Sequence, residues 1–285
     1  MSIVVGLWVP EANVDATTSK ALEDALWSCQ PPAVETIKTE GVILRAYPLA
    51  EKDRIVVAYT RDLGKISGVI PRIVRSAGYG LGQVAPYGYV ELMLRLQPHR
   101  DLLRIQNIEL LRAFGAMLPS YQNFLQLSLV AEILLETTPE REPNDDLFRL
   151  LLLVLPCFAD PTRAPLAGLY FKIWYLKISG LLPANRICQS CQNSFTGREE
   201  LFVAENFTGF RCGACRKRAD RRLSVQAHLL LAAIRQKSLP DLHREWEESR
   251  SVAELAEMSE AMLEFHFERH FQTLQLLRAE GAGLV

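Results

Sequence analysis

The chain has no apolar run long enough to cross a bilayer. Its longest, from Leu147 to Ala159, is broken by Arg149 and Pro156, whereas a spanning helix needs about 20 apolar residues. Also missing from its start are the basic residues, apolar block and small-residue cleavage site of a secretory signal. The expected compartment is therefore the cytoplasm, where thiols stay reduced, and disulfides are the less expected use of the six cysteines. Nucleotide loops are absent too. In Gly78-Tyr-Gly80-Leu-Gly82, Gln83 stands where a dinucleotide fingerprint needs its third glycine. In "DLGKIS", Lys65 precedes Ile66, and Tyr59 occupies the first-glycine position of a triphosphate loop. His266 and His270 are spaced i, i+4, but Phe267 sits where a metalloprotease helix needs glutamate. With no Ser/His/Asp set and no carboxylate pair, the sequence reads as that of a non-enzyme.

Strong net charge is lacking as well: 32 Lys+Arg face 33 Asp+Glu. The total hides a partition along the chain. Residues 37–112 carry 12 Lys+Arg against 7 Asp+Glu, and residues 186–222 carry 8 against 4, while the segments between and after them are acidic. A polyanion responds to the local field, since screening in physiological salt confines interactions to about 8 Å. A nucleic-acid partner is therefore compatible with the near-neutral sum.

From Ile37 to about Arg112 the texture is β-like. "TIKTEGVILRAY", "RIVVAYT", "GKISGVIPRIV", "YGYVELMLRL" and "DLLRIQNIELL" are rich in Val, Ile and Tyr, and Val90-Leu92-Leu94-Leu96 alternates. Five short strands predict a small barrel of the OB type, with a small sandwich as the alternative. A Gly- and Tyr-rich loop, "VRSAGYGLGQVAPYG", separates strands three and four. From about Pro119 long segments are apolar nearly all round, as in helices packed inside a bundle. Asn144 or Asp145 is an N-cap candidate, and Gly180 ends the third helix. Leu263, Phe267, Phe271, Leu274 and Leu277 form a buried stripe on one long terminal helix. The expected division is an atypical extension over 1–34, an OB-fold domain over 35–113, and a helical domain over 114–285 with a zinc ribbon inserted at 186–222. The fold class is thus α+β and multidomain. The extension reads either as a short helix from Thr18 to Trp27 or, as we prefer, as residues upstream of a start at Val34.

Cys188-Gln-Ser-Cys191 and Cys212-Gly-Ala-Cys215 are separated by twenty residues, at the edge of the spacing of a four-cysteine zinc ribbon. Two such turns close a tetrahedron with Zn–S near about 2.3 Å and no open position for water. One structural Zn2+ per chain is the leading expectation. A redox pair and unliganded thiols are the alternatives. Directly after comes "RKRADRR", with Arg216, Lys217 and Arg218 at its head, either a solvated face or a phosphate-contacting patch. On the barrel, Lys52, Arg54, Arg61, Lys65, Arg72 and Arg75 recur beside Tyr59, Tyr79, Tyr87 and Tyr89. Cations interleaved with aromatics suit single strands, whose phosphates need neutralising and whose bases need ring faces to stack on.

The order "EGVILR", "EKDRIVVAYTRDLGKISGVI", a basic Gly-rich loop, a helical domain, "ISGLLPANRICQSC" and "GFRCGAC" resembles the RecO family of bacterial recombination mediators. The likeness runs from about Thr36 to the C-terminal helix. It implies an OB barrel on a helical domain with a zinc ribbon, and binding of single- and double-stranded DNA. It also implies strand annealing and recombinase loading with RecR and the single-strand-binding protein, in the cytoplasm and on the nucleoid. Departures from the family pattern are a loop with mainly Arg72 and Arg75 as cations, Thr208-Gly209 in place of a double glycine, and Gln192 after the first knuckle. An interaction scaffold with incidental DNA contact is the runner-up, and a hydrolytic zinc enzyme the third option.

Overall fold

A computed structural model describes residues 35–49, 53–71, 84–96, 102–115, 118–246 and 249–282. The calls on residues 1–34, on Lys52, Arg72 and Arg75, and on most of the Gly- and Tyr-rich loop lie outside them.

Five strands form a closed barrel: β1 (Thr36–Pro48), β2 (Arg54–Thr60), β3 (Gly64–Ile70), β4 (Gly88–Arg95) and β5 (Leu102–Ala113), in the order β1-β2-β3-β5-β4. All pairs are antiparallel except β3 with β5, where Ser67 faces Leu102. Closure depends on the 13 residues of β1: its first half pairs with β4 and its second half with β2. A register shift between Ile43 and Arg45 bends it around the corner. Alternation then sorts the side chains. Ile43, Val56, Ala58, Ile66, Val90, Leu92, Leu94 and Ile105 fill the barrel. Val42 and Leu44 point the other way, into the core shared with the helices. The wall of the barrel is therefore apolar on both faces at β1.

The helical part runs α1 (Tyr121–Thr137), α2 (Asp145–Val154), a 3-10 turn (Leu155–Ala159), α3 (Ala164–Ile178), the ribbon strands β6 (Leu201–Val203), β7 (Phe210–Arg211) and β8 (Arg221–Leu223), then α4 (Val225–Gln236), α5 (Leu239–Glu245), α6 (Ser249–Phe267) and α7 (Gln272–Ala282). Starts are set by side-chain caps. Ser120, Asn144, Ser224 and Ser238 accept the N–H three residues on at α1, α2, α4 and α5. Gly180, with φ +72, follows α3. Helix α3 is buried nearly all round, so its turns carry Leu169, Phe171, Ile173 and Leu176 into one core with α1, α4 and α6. The expected single terminal helix is two: the chain turns at Glu268, φ +51. Helix α7 then restarts with the amides of Gln272 and Thr273 on the Glu132 carboxylate of α1, at 2.7 and 2.9 Å. The Leu263, Phe271 and Leu274 stripe is nonetheless core. No helix among the described residues is long and apolar enough to cross a membrane.

The barrel meets the helices through the β2–β3 turn. Thr60 closes the turn by donating to the Gly64 carbonyl (2.9 Å). Gly64 takes φ +66, and a Cβ there would lie 2.2 Å from the Glu142 carbonyl oxygen. Next to it the Lys65 ammonium donates to the Leu135 carbonyl at 2.7 Å, and the Arg141 N–H donates back to the Lys65 carbonyl at 2.9 Å. Only glycine fits this approach and this backbone. Gly64→Ala is expected to cost at least about 2 kcal/mol, from the left-handed backbone and the carbonyl collision together. Urea unfolding monitored by circular dichroism measures it, and a loss below about 0.5 kcal/mol contradicts the close contact.

Inside the bundle Lys172 of α3 pairs with Glu260 of α6, both nearly inaccessible. Lys172→Met leaves the buried Glu260 carboxylate with only the more distant Arg278, 3.9 Å away, and is expected to cost about 3 kcal/mol. Adding Glu260→Leu should recover most of that loss, because the apolar pair needs no desolvation. Thermal melts of the single and double variants check the recovery.

Candidate metal centre and basic surface

The four cysteine thiols converge: their sulfurs all lie within 4.8 Å of one another, with Cys191 and Cys212 3.8 Å apart. Local backbone explains why. The Ile187–Ser194 bridge and the Cys188 N–H on the Asn193 carbonyl (2.8 Å) fold the first knuckle. Gln192 adopts φ +61 and returns its N–H to the Cys188 carbonyl at 2.9 Å. Gln192 thus takes the left-handed conformation that glycine takes more cheaply. In the second knuckle the Cys215 N–H bonds the Cys212 carbonyl at 3.0 Å. The two are tied by the Gln189 N–H on the Phe210 carbonyl (2.9 Å) and by the Cys212 N–H on the Cys188 sulfur (3.4 Å). Gly209 lies against the Gln189 side chain, where an added Cβ would come within 2.2 Å of its amide oxygen.

The four thiols lie close enough together to hold a metal ion. Burial pushes the Cys188 thiol up, but N–H groups of Cys191, Cys212 and Ser190 bring it down to about 6. The neighbouring Cys212 and Cys191 sulfurs push Cys215 up to about 12. Four thiols this close do not all ionise unless a positive ion shares them. An all-sulfur tetrahedron fits a structural ion of the zinc type and leaves no open coordination position.

The expected hairpin is present as β6 against β7, with β8 added on the other edge of β6. Leu201, Val203, Phe207, Phe210 and Leu223 bury into the helical core. His228 of α4 meets the Glu199 carbonyl at 3.0 Å. The ribbon is therefore fixed on the bundle. The segment after the second knuckle is held by Asp220, which accepts from Arg211 at 2.5 Å and from the Lys217 N–H at 2.7 Å. Burial raises the Asp220 carboxyl, but these bonds outweigh it and hold the group below the usual carboxylate range. Arg216, Lys217 and Arg218 are left exposed. Arg216 rests over the Phe202 ring, 5.3 Å from its centroid, and Arg222 pairs with Glu200.

The barrel cations part company. Arg54 is half-exposed with no ion-pair partner among the described residues. Arg61 lies over the Phe148 ring at 5.0 Å, between Glu40 (3.3 Å) and Asp145 (4.0 Å). Lys65 is corrected outright: it is 9% exposed, and its ammonium serves Leu135 and Glu140 at the barrel–helix contact. Two expected stacking rings are also core. Tyr59 is 1% exposed, with burial pushing its phenol up to about 12. Tyr87 is buried and bonded to Ser128 at 2.8 Å. Tyr89 is half-buried, and Tyr79 lies outside the described residues. The open rings among the described residues are Tyr47, Phe265, Tyr121 and Phe124, the last two stacked at 6.3 Å on the first turn of α1. The i, i+3 spacing of Tyr121 and Phe124 at the start of the helix was the signal in the sequence.

Against known families, the model of the recombination protein O N-terminal domain matches residues 34–114, and that of the C-terminal domain residues 119–275. A DNA repair protein RecO of Koribacter versatilis (strain Ellin345) is 28% identical over 241 residues, covering 84% of this chain and 97% of the relative. One from Anaeromyxobacter dehalogenans (strain 2CP-C) is 27% identical over 202 residues, 71% and 79% of the two chains. One from Pelotomaculum thermopropionicum is 31% identical over 181 residues, 62% and 68%. A barrel followed by a ribbon-bearing helical region, matched in chain order by both family domains, places this chain in the RecO family.

Proposed function

We propose that this chain is a non-catalytic DNA repair mediator that binds single- and double-stranded DNA, promotes annealing, and helps load recombinase together with RecR and the single-strand-binding protein. The observation that carries the proposal is the exposed Arg216-Lys217-Arg218 segment, held by Asp220 beside the four thiols. Two complementary strands repel through their phosphates, and a fixed basic surface lowers that repulsion while leaving base edges free to pair. Arg54 and the half-screened Arg61 add charge on the barrel side, and Tyr121 with Phe124 offer ring faces to unpaired bases. Membership of a family whose relatives carry the name DNA repair protein supports the same function.

Zinc in the four-thiol site would be held by Cys188, Cys191, Cys212 and Cys215, where it supplies cross-linking rather than chemistry. The chain's own residues do the rest: Phe210 and Val203 anchor the ribbon in the core, and the second knuckle aims Arg216 to Arg218 outward. Cys191→Ser removes an exposed ligand without opening the core. It is expected to reduce zinc from one per chain to a small fraction and to destabilise the fold by more than about 4 kcal/mol. Metal analysis and melting on one sample test this; a full-occupancy, equally stable variant refutes the four-thiol site.

DNA binding is tested by fluorescence anisotropy against salt. Replacing Arg216, Lys217 and Arg218 together by Gln should make the log-affinity slope on a single strand shallower by about 2. An unchanged slope removes the segment from the DNA surface. Absence of salt-sensitive binding by the unaltered protein, with a protein partner still co-purifying, favours the scaffold instead.

A further inference from the structure

Some of the described cations are paired with carboxylates. In a cleft of about 990 Å³, Lys172, Arg163, Arg244 and Arg278 each meet a carboxylate. The place where α3 and α4 end departs from this. The Lys177 ammonium sits on the Trp174 ring, 3.7 Å from its centroid. Trp174 donates its indole N–H to the Ile234 carbonyl at 3.1 Å, which brings Lys177 beside the next residue, Arg235. Arg235 in turn donates to the Asn185 side chain at 2.9 Å and to the Pro183 carbonyl at 3.3 Å, which brings it beside Arg186. None of the three has a carboxylate partner among the described residues. Burial and then the Arg235 charge depress Lys177, and burial and then the Arg186 charge depress Arg235. Only cations act on these two; no acidic group appears among their influences.

The folded state therefore maintains a cluster of like charges, which is unfavourable in isolation. Helix C-termini offset part of it. The ends of α3 and α4 supply roughly half a negative charge each, which leaves about two positive charges of the three uncompensated. The cluster also continues into the ribbon. Arg186 accepts the Phe195 N–H at 2.8 Å and stands two residues before Cys188, and the second knuckle beyond carries Arg216 to Arg218. A row of separate cations on a fixed frame matches a ligand with regularly repeated negative charge.

We propose that Lys177, Arg186 and Arg235 form a phosphate-binding site that extends the ribbon's basic surface along a nucleic-acid backbone. This rests on the DNA-binding function proposed above and adds a contact at the bundle end. Lys177 and Arg186 are the residues to alter, because Arg235 also holds Asn185 in place. The double variant Lys177→Gln and Arg186→Gln should leave zinc content unchanged and should not lower the melting temperature. Its salt slope should become shallower by about 1.4 on labelled oligo-dT and by about 1.8 on a duplex. An unchanged slope in this variant, while the Arg216, Lys217 and Arg218 replacement still flattens it, overturns the site and leaves the broader function standing. No salt-sensitive DNA binding by the unaltered protein overturns both. Loss of polyglutamate binding in the double variant with DNA binding intact assigns the cluster to an acidic protein partner and overturns it as well.

Discussion

The contact on which the rest of the structure depends is the β2–β3 turn pressed against the end of the α1–α2 connection. Gly64 lets backbone meet backbone, and Lys65 places its ammonium on a carbonyl near the end of α1. A helix C-terminus carries partial negative charge, so a cation there is favoured, more so when half-buried. The Arg61 guanidinium covers Phe148 from the same turn, and the Thr39 hydroxyl donates to Asp62 at 2.6 Å to keep the turn square to β1. The segment Thr60 to Lys65 is in this structure an architectural joint. Its Lys65 is spent on holding the barrel to the helices.

Much of the fold was legible in the sequence. Alternation in Val90, Leu92 and Leu94 marked a strand with one face in the barrel, and the all-round apolar texture of α3 marked an interior helix. Asn144 and Gly180 showed where helices begin and end for local reasons that need no tertiary knowledge. The thiol cluster was legible from spacing alone, because two short knuckles joined by a hairpin have few other ways to fold.

What was not legible was the far partner of each cation. Lys65 and Arg54 look alike as letters, yet one ends at Leu135, seventy residues on, and the other faces outward. The same holds for Tyr59, an aromatic beside basic residues whose ring turns to the bundle. Periodicity tells that a strand has two faces; it does not tell that β1 is buried on both. The break at Glu268 escaped for a related reason. Glutamate is a good helix former, and the turn is fixed by Glu132 of a distant helix receiving the start of α7.

The doubly buried β1 has a mechanical consequence. Because Ile43 belongs to the barrel's filling while its neighbours Val42 and Leu44 belong to the bundle's, the two bodies share one strand as a party wall. Neither can swing away from the other without exposing the lining of both. The protein is thereby closer to a jig than to a clamp, its barrel and bundle held at an angle set in advance.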